Sequence, residues 1–230
     1  MTYVKNTFMV GVPHMGSLRV ETAKWLIMLG MANPDSVSVV FRSQQPVDLN
    51  RNSMIHNFLK STKEWLLFID SDMKPMKNLI SMATHGKKII SGLTTVMQKD
   101  VPYPLIMRKA KDKETVCYSI VTVKDLDSAV DGVIKVDGVG TGCLLIHREV
   151  FEKIEPPWFK FEMDKNGEAL LSEDYYFSEK ATANGFDMFV DCNQQVGHLK
   201  TVNLHAMNKV LACVVANPPK KFDLIKGDKK

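Results

Sequence analysis

No run of apolar residues in this sequence approaches the ~18 that a membrane-spanning helix needs, and the opening MTYVKNTFMVGVPH holds too short an apolar stretch for a secretory leader. Paired cysteines are missing too. Cys117, Cys143, Cys192 and Cys213 lie far apart with no C-x-x-C spacing, which argues against a zinc cage and predicts free thiols in a reducing, cytoplasmic setting. Charge of one sign is scarce: 30 Lys and Arg stand against 26 Asp and Glu, a formal +4. Residues 218–230 hold five lysines and two aspartates, so that short stretch carries three of the four charges and the rest of the chain is nearly neutral. Near-neutrality is not the footprint of a dedicated nucleic-acid binder, and 218–230 is expected to be a flexible basic tail.

The dinucleotide fingerprint is absent as well. VDGVGTGCLLIHREVF supplies Gly138, Gly140 and Gly142, but Cys143 stands where G-x-G-x-x-G needs another residue type, and a strand follows instead of a helix. There is no Walker loop. Glycines alternating in a strand mark a bulge or a close backbone contact, and bare backbone of that kind can wall a sugar pocket, which makes Gly140 a candidate binding residue.

What is present is ordinary for one folded domain. At 230 residues, 45% hydrophobic and 24% charged, the chain fits a single domain over 1–217. Residues 8–12 read as a buried strand, 17–31 as a helix capped by Ser17 with Trp25, Ile27, Met28 and Met31 as its apolar positions, and 36–41 as a β-branched strand. A polar loop, a helix near 53–60, a strand at 64–69, a helix near 76–85 and a strand at 88–94 follow. Continuous apolar strands separated by helices predict a mainly parallel sheet covered on both faces. From 101 to 146 the pieces PLIMRK, TVCYSIV, GVIKVDGVG and GCLLIHR predict a smaller mixed-sheet extension. Beyond them come a helix at 148–154, a helix at 173–184 ended by Gly185, a strand at 188–192, a polar turn at 193–197 and a last helix near 204–216.

Within that frame three constellations carry chemistry. WLLFIDSDM ends a strand on Asp70-Ser71-Asp72, and residues i and i+2 there project to the same side. The two carboxylates can share one divalent cation, or divide a metal and a ribose hydroxyl between them; a helix cap or Asx turn explains the pair equally well. Asp125-Leu126-Asp127 has the same spacing and is assigned no function. Glu173 and Asp174 open a helix after Ser172, where acids are favoured by the helix dipole and where one of them can also serve as a general base. His198 follows the last strand, whose end converges on the ligand crevice of such folds. His14, His56, His85, His147 and His205 have no such position. Arg51 and Asn52, and Trp158 with Phe159, are ligand contacts or packing.

In order, FMVGVPH, RNSMIHNFL, WLLFIDSDM, VGTGCLLIHREVFEKI, PPWF, SEDYYFSEKATANGF and FVDCNQQVGHL resemble the nucleotide-sugar-dependent glycosyltransferases of GT-A fold, in particular compact family-2-like enzymes of phages and bacteria. The resemblance spans about residues 8–200. It implies a Rossmann-like α/β fold and transfer of a sugar from a UDP- or GDP-sugar to an acceptor hydroxyl on a glycan, a small molecule or hydroxyl-modified DNA. It further implies Mn²⁺ or Mg²⁺ held by Asp72, with Asp70 toward the nucleoside or sharing the ion and His198 completing the metal shell. Asp174 is then the catalytic base, with inversion at the sugar expected and retention left open, Glu173 an assistant or acceptor contact, and Val10 to Pro13, Val12 included, with Arg51, the holder of base and ribose. Two departures stand out. Ser172 replaces the glycine that relatives carry before the acidic pair, and TTVMQKDVPYP replaces an arginine-rich loop, leaving Lys99 as the substitute positive charge. Rival readings are a sugar-phosphate nucleotidyltransferase, for which GVPHMGSLR is a faint match, and a non-catalytic polysaccharide- or DNA-binding domain.

Overall fold

Two short strands with every residue buried set the architecture. FMVGVP and WLLFI alternate their side chains between two apolar layers: Phe8, Val10 and Val12 with Trp65, Leu67 and Ile69 on one face, Met9 with Leu66 and Phe68 on the other. A strand buried on both faces needs helices above and below it, and it gets them. The computed structural model describes residues 6–43, 45–98, 101–109, 118–120 and 131–201. Expectations concerning Lys99, Cys117, Cys213, His205 and the segments 125–127, 204–216 and 218–230 lie outside the described residues.

In chain order the elements are β1 (Phe8–Pro13), α1 (Val20–Ala32), β2 (Val37–Arg42), α2 (Val47–Lys60), β3 (Trp65–Ile69), β4 (Met73–Pro75), a 3₁₀ helix (Leu79–His85), β5 (Ile89–Leu93), β6 (Thr95–Gln98), β7 (Val101–Pro104), β8 (Ile106–Lys109) and β9 (Tyr118–Ile120). They continue with β10 (Val133–Val136), β11 (Gly138–Val139), β12 (Cys143–His147), α3 (Arg148–Lys153), β13 (Glu162–Met163), β14 (Ala169–Leu171), α4 (Glu173–Ala183) and β15 (Met188–His198). The central sheet has the order β10-β15-β5-β12-β3-β1-β2, with β4 paired to the end of β15. β1 is parallel to β2 and β3, and β5 is parallel to β15. Only β12, antiparallel to both β3 and β5, and the edge strand β10 oppose them within that order. The chain is therefore an α/β protein with a large, mainly parallel sheet. α1 and the 3₁₀ helix cover one face, and α2, α3 and α4 cover the other. No helix among the described residues is long and apolar enough to cross a membrane.

Several local expectations are corrected. α1 starts at Val20 behind Arg19 rather than at Ser17, and the side it buries is Thr22, Leu26 and Leu29. Ile27, Met28 and Met31 are 61% to 78% exposed. A helix that is apolar nearly all round gives no unique face, and the choice falls to Thr22, whose hydroxyl donates to the carbonyls of Ser71 and Met73. α2 starts at Val47, six residues before the expected point, because Asn50 and Arg51 are buried polar residues of the helix and not part of a solvated loop. The supposed turn at 193–197 is an irregularity inside one long strand, where the pairing with β5 shifts between Asp191 and Gln195. GCLLIHR is not an outlying extension but the middle of the main sheet. The extension consists of β11-β8-β9.

Candidate active site

All five parallel strands of the sheet end at one edge, and β12 begins there, so residues scattered through the sequence meet on that rim. Asp70 follows β3 directly, with its backbone N–H donating to the Gly142 carbonyl at 3.1 Å. The turn after it is closed by the Met73 N–H on the Asp70 carbonyl, and β4 then pairs with β15 so that His198 lies opposite Met73. Leu199 N–H donates to the Asp72 carbonyl at 2.8 Å, which fixes the end of β15 against the acidic turn.

That pairing brings Asp72 and His198 together across 126 residues of sequence. His198 Nε2 is 3.2 Å from Asp72 Oδ2, and His198 Nδ1 is 2.9 Å from the Thr95 carbonyl. A carbonyl can only accept, so Nδ1 carries a proton, and in the neutral ring Nε2 then presents a lone pair to a carboxylate. Two acceptors at that distance need a cation or a second proton between them. The hydrogen bond from His198, joined by one from Lys200, holds the Asp72 carboxyl well below the usual carboxylate range, while Asp72 raises His198. Lys200 Nζ sits 2.5 Å from the same Asp72 Oδ2.

A second cluster centres on Arg51, buried in α2. Its two terminal nitrogens divide between Asp70 Oδ1 at 3.0 Å and Glu173 Oε1 at 2.5 Å. Among the described residues Nε has no hydrogen-bond partner, and the guanidinium lies 5.7 Å from the centre of the Phe159 ring. Burial works against the Arg51 charge, but Asp70, Asp174 and Glu173 more than offset it and the pKa is raised. Glu173, in the first turn of α4, is pushed up to about 7 by burial and by its neighbour Asp174, with Arg51 opposing. Asp174 is half-buried and approaches the glycine loop between β11 and β12. A Cβ placed on Gly140 would collide with Leu105 and lie 3.7 Å from Asp174 Oδ2; one on Gly142 would collide with Met73 and lie 3.3 Å from Asp70 Oδ2. Bare backbone therefore floors the space between Asp70 and Asp174.

Beside Asp70 opens a cavity of about 170 Å³ walled by the end of β1 (Pro13, His14), the start of α2 (Val47, Asn50) and the turn Asp70–Asp72. Of the residues singled out from sequence, Pro13, Asp70 and Asp72 line it. Val12 is buried one position earlier and packs in the α1 layer, Arg51 reaches the cavity only through Asp70, and Gly140 stands on the Asp174 side. Asn52 accepts from the N–H groups of Trp158 and Phe159, and both rings are core. Sequence reasoning passed over His14, Asn50 and Lys200. A position directly after a strand end was the signal available for His14, and proximity to His198 for Lys200.

Among the described residues, no three His, Cys, Asp or Glu side chains gather as a complete metal-ligand set. Asp72 and His198 nonetheless fit part of one: adjacent ligands on an octahedral ion at about 2.1 Å stand about 3 Å apart, close to the separation seen, and the carbonyl behind Nδ1 supplies the customary support for an imidazole ligand.

No protein-family model and no curated protein matches the chain. Among solved structures it is similar to A197 from STIV, at 20% identity with a TM-score of 0.56 over 85% of this chain and 86% of that one. That likeness shows a shared fold. Looser likenesses are to a UDP-glucose pyrophosphorylase complexed with UDP-glucose (10% identity, TM-score 0.46, 92% and 99% covered) and a glycosyltransferase involved in glycosylation of the major capsid of PBCV-1 (11%, 0.43, 88% and 99%).

Proposed function

We propose that the protein is a glycosyltransferase that moves a sugar from a UDP- or GDP-sugar to an acceptor hydroxyl. The observation that carries this reading is the meeting of two sets of carboxylates at one sheet edge, Asp70 and Asp72 beside a cavity and Glu173 and Asp174 across a glycine floor, with Arg51 tying the sets together. The cavity between β1 and α2 is the proposed place of the nucleoside, with the carboxylate of Asp70, held by Arg51, accepting from its ribose hydroxyls. Asp72 and His198 would hold a divalent cation, Mn²⁺ or Mg²⁺, whose charge stabilises the departing diphosphate.

Of the two acids on α4, Asp174 suits the base. Glu173 is committed to Arg51, whereas Asp174 is half-buried and faces the glycine loop, so it can take the acceptor proton as the hydroxyl oxygen attacks the anomeric carbon. One base and a direct displacement give inversion at the sugar. Asp174→Asn should keep nucleotide-sugar binding and lose about 10²- to 10⁴-fold in turnover, measured by calorimetry and by nucleoside diphosphate release from a panel of UDP- and GDP-sugars. Normal turnover in Asp174→Asn would remove the base assignment; pyrophosphate release from a nucleoside triphosphate would replace the transferase reading with a nucleotidyltransferase.

A further inference from the structure

Lys200 is the residue at this site for which the transferase reading has no use. Its ammonium rests 2.5 Å from Asp72 Oδ2, the oxygen that also faces His198 Nε2 at 3.2 Å. An ammonium and a divalent cation in contact with one carboxylate oxygen would stand within a few ångströms of each other, and their repulsion weakens both contacts. The more mobile of the two gives way. His198 is pinned by the Thr95 carbonyl and by strand pairing with β4, but the Lys200 side chain is half exposed and projects from beyond the end of β15, so it can swing into solvent without disturbing the core.

We infer that Lys200 is a built-in counter-cation that neutralises Asp72 when no divalent cation is bound and competes with that cation for the carboxylate, which makes cation binding tighter in the presence of the nucleoside diphosphate. The inference rests on the reading of Asp72 and His198 as cation ligands. The diphosphate supplies what the exchange needs: oxygens for the incoming ion, and negative charge with which the displaced ammonium can pair. Without it, an incoming ion gains one carboxylate oxygen and one imidazole while evicting a partner already in place.

The test is a titration of Mn²⁺ alone into the full chain, with free Mn²⁺ followed by electron paramagnetic resonance. Lys200→Met should bind Mn²⁺ up to about fivefold more tightly than the unaltered protein, the scale of a partly exposed ion pair, while Lys200→Arg, which keeps the charge, should not. Adding UDP or GDP should shrink the advantage of Lys200→Met. Equal or weaker Mn²⁺ binding by Lys200→Met, or an advantage that persists undiminished with the nucleotide, overturns the inference and leaves the cation site standing. If Asp72→Ala binds Mn²⁺ as well as the unaltered protein, the ion sits elsewhere, and the ligand assignment falls along with the role of Lys200.

Discussion

Arg51 occupies an unusual position for a charge. It is 2% exposed, holds two carboxylates from opposite halves of the chain, and leaves Nε without a partner among the described residues. Removing one partner from a buried ion pair costs about 3–5 kcal/mol, because the remaining charge is stranded away from water. Arg51→Met should therefore lower the urea unfolding free energy by that order, and Arg51→Lys should recover only part, since an ammonium has no fork with which to reach Asp70 and Glu173 together. Glu173 adds a pH dependence. Its folded pKa of about 7 lies above the ordinary value of 4.5, so the folded state binds more protons than the unfolded chain between those limits. Stability from this group is fully present below about pH 4.5 and is lost as the pH rises to about 7, with a slope of at most ~1.4 kcal/mol per pH unit. Glu173→Gln should flatten that stretch of a stability profile taken by denaturant titration; an unchanged profile would show that Arg51 keeps Glu173 ionised throughout.

The elements read most easily from sequence are those whose residues have a single physical reason to be where they are. β1 and β3 are continuous apolar runs, and nothing but a doubly covered strand accommodates them. α4 was marked by Ser172 before two acids and by Gly185 after Asn184, where φ is +82° and only glycine is relaxed. α1 and α2 were misjudged for opposite reasons. α1 has more apolar residues than it can bury, so Ile27, Met28 and Met31 advertised a face that the hydroxyl of Thr22 and the side chains of Leu26 and Leu29 actually form. α2 has polar residues that it does bury: Asn50 and Arg51 break the helical pattern because their side chains are held inside, Asn50 donating to the Gln45 carbonyl and Arg51 to Asp70 and Glu173. The α1 assignment is checkable by substitution. Leu26→Ala should cost about 2–5 kcal/mol, and Met28→Lys should stay within about 0.5 kcal/mol, in chemical denaturation.

At the scale of the whole molecule, the site is an edge on which the two halves of the chain agree. Asp70 and Asp72 come from the first half; Gly140, Asp174 and His198 come from the second. The acidic turn, the acid pair and the late histidine were legible as motifs, and the strand-end position of His198 and the family resemblance led us to expect them in one crevice; the route was not legible, because it depends on β12 running against its neighbours and on β4 returning to pair with β15. A nucleoside diphosphate with Mn²⁺ should engage the folded form alone and stabilise it by about 2.7 kcal/mol at one hundred times its dissociation constant, visible as a raised melting temperature. Asp72→Ala should lose most of that rise, and an equal rise in both proteins would separate Asp72 from the ligand.

The reversed strand in the middle of the sheet also constrains how the protein is made. β3 and β5 have no shared border until residues 143–147 arrive to lie between them, so the β2-β1-β3 unit can assemble early during synthesis while β5 waits for a neighbour. A nascent chain halted before Cys143 should thus remain open to proteases at β5, and one extended through His198 should resist them. Timed proteolysis of ribosome-stalled chains of increasing length would reveal that step.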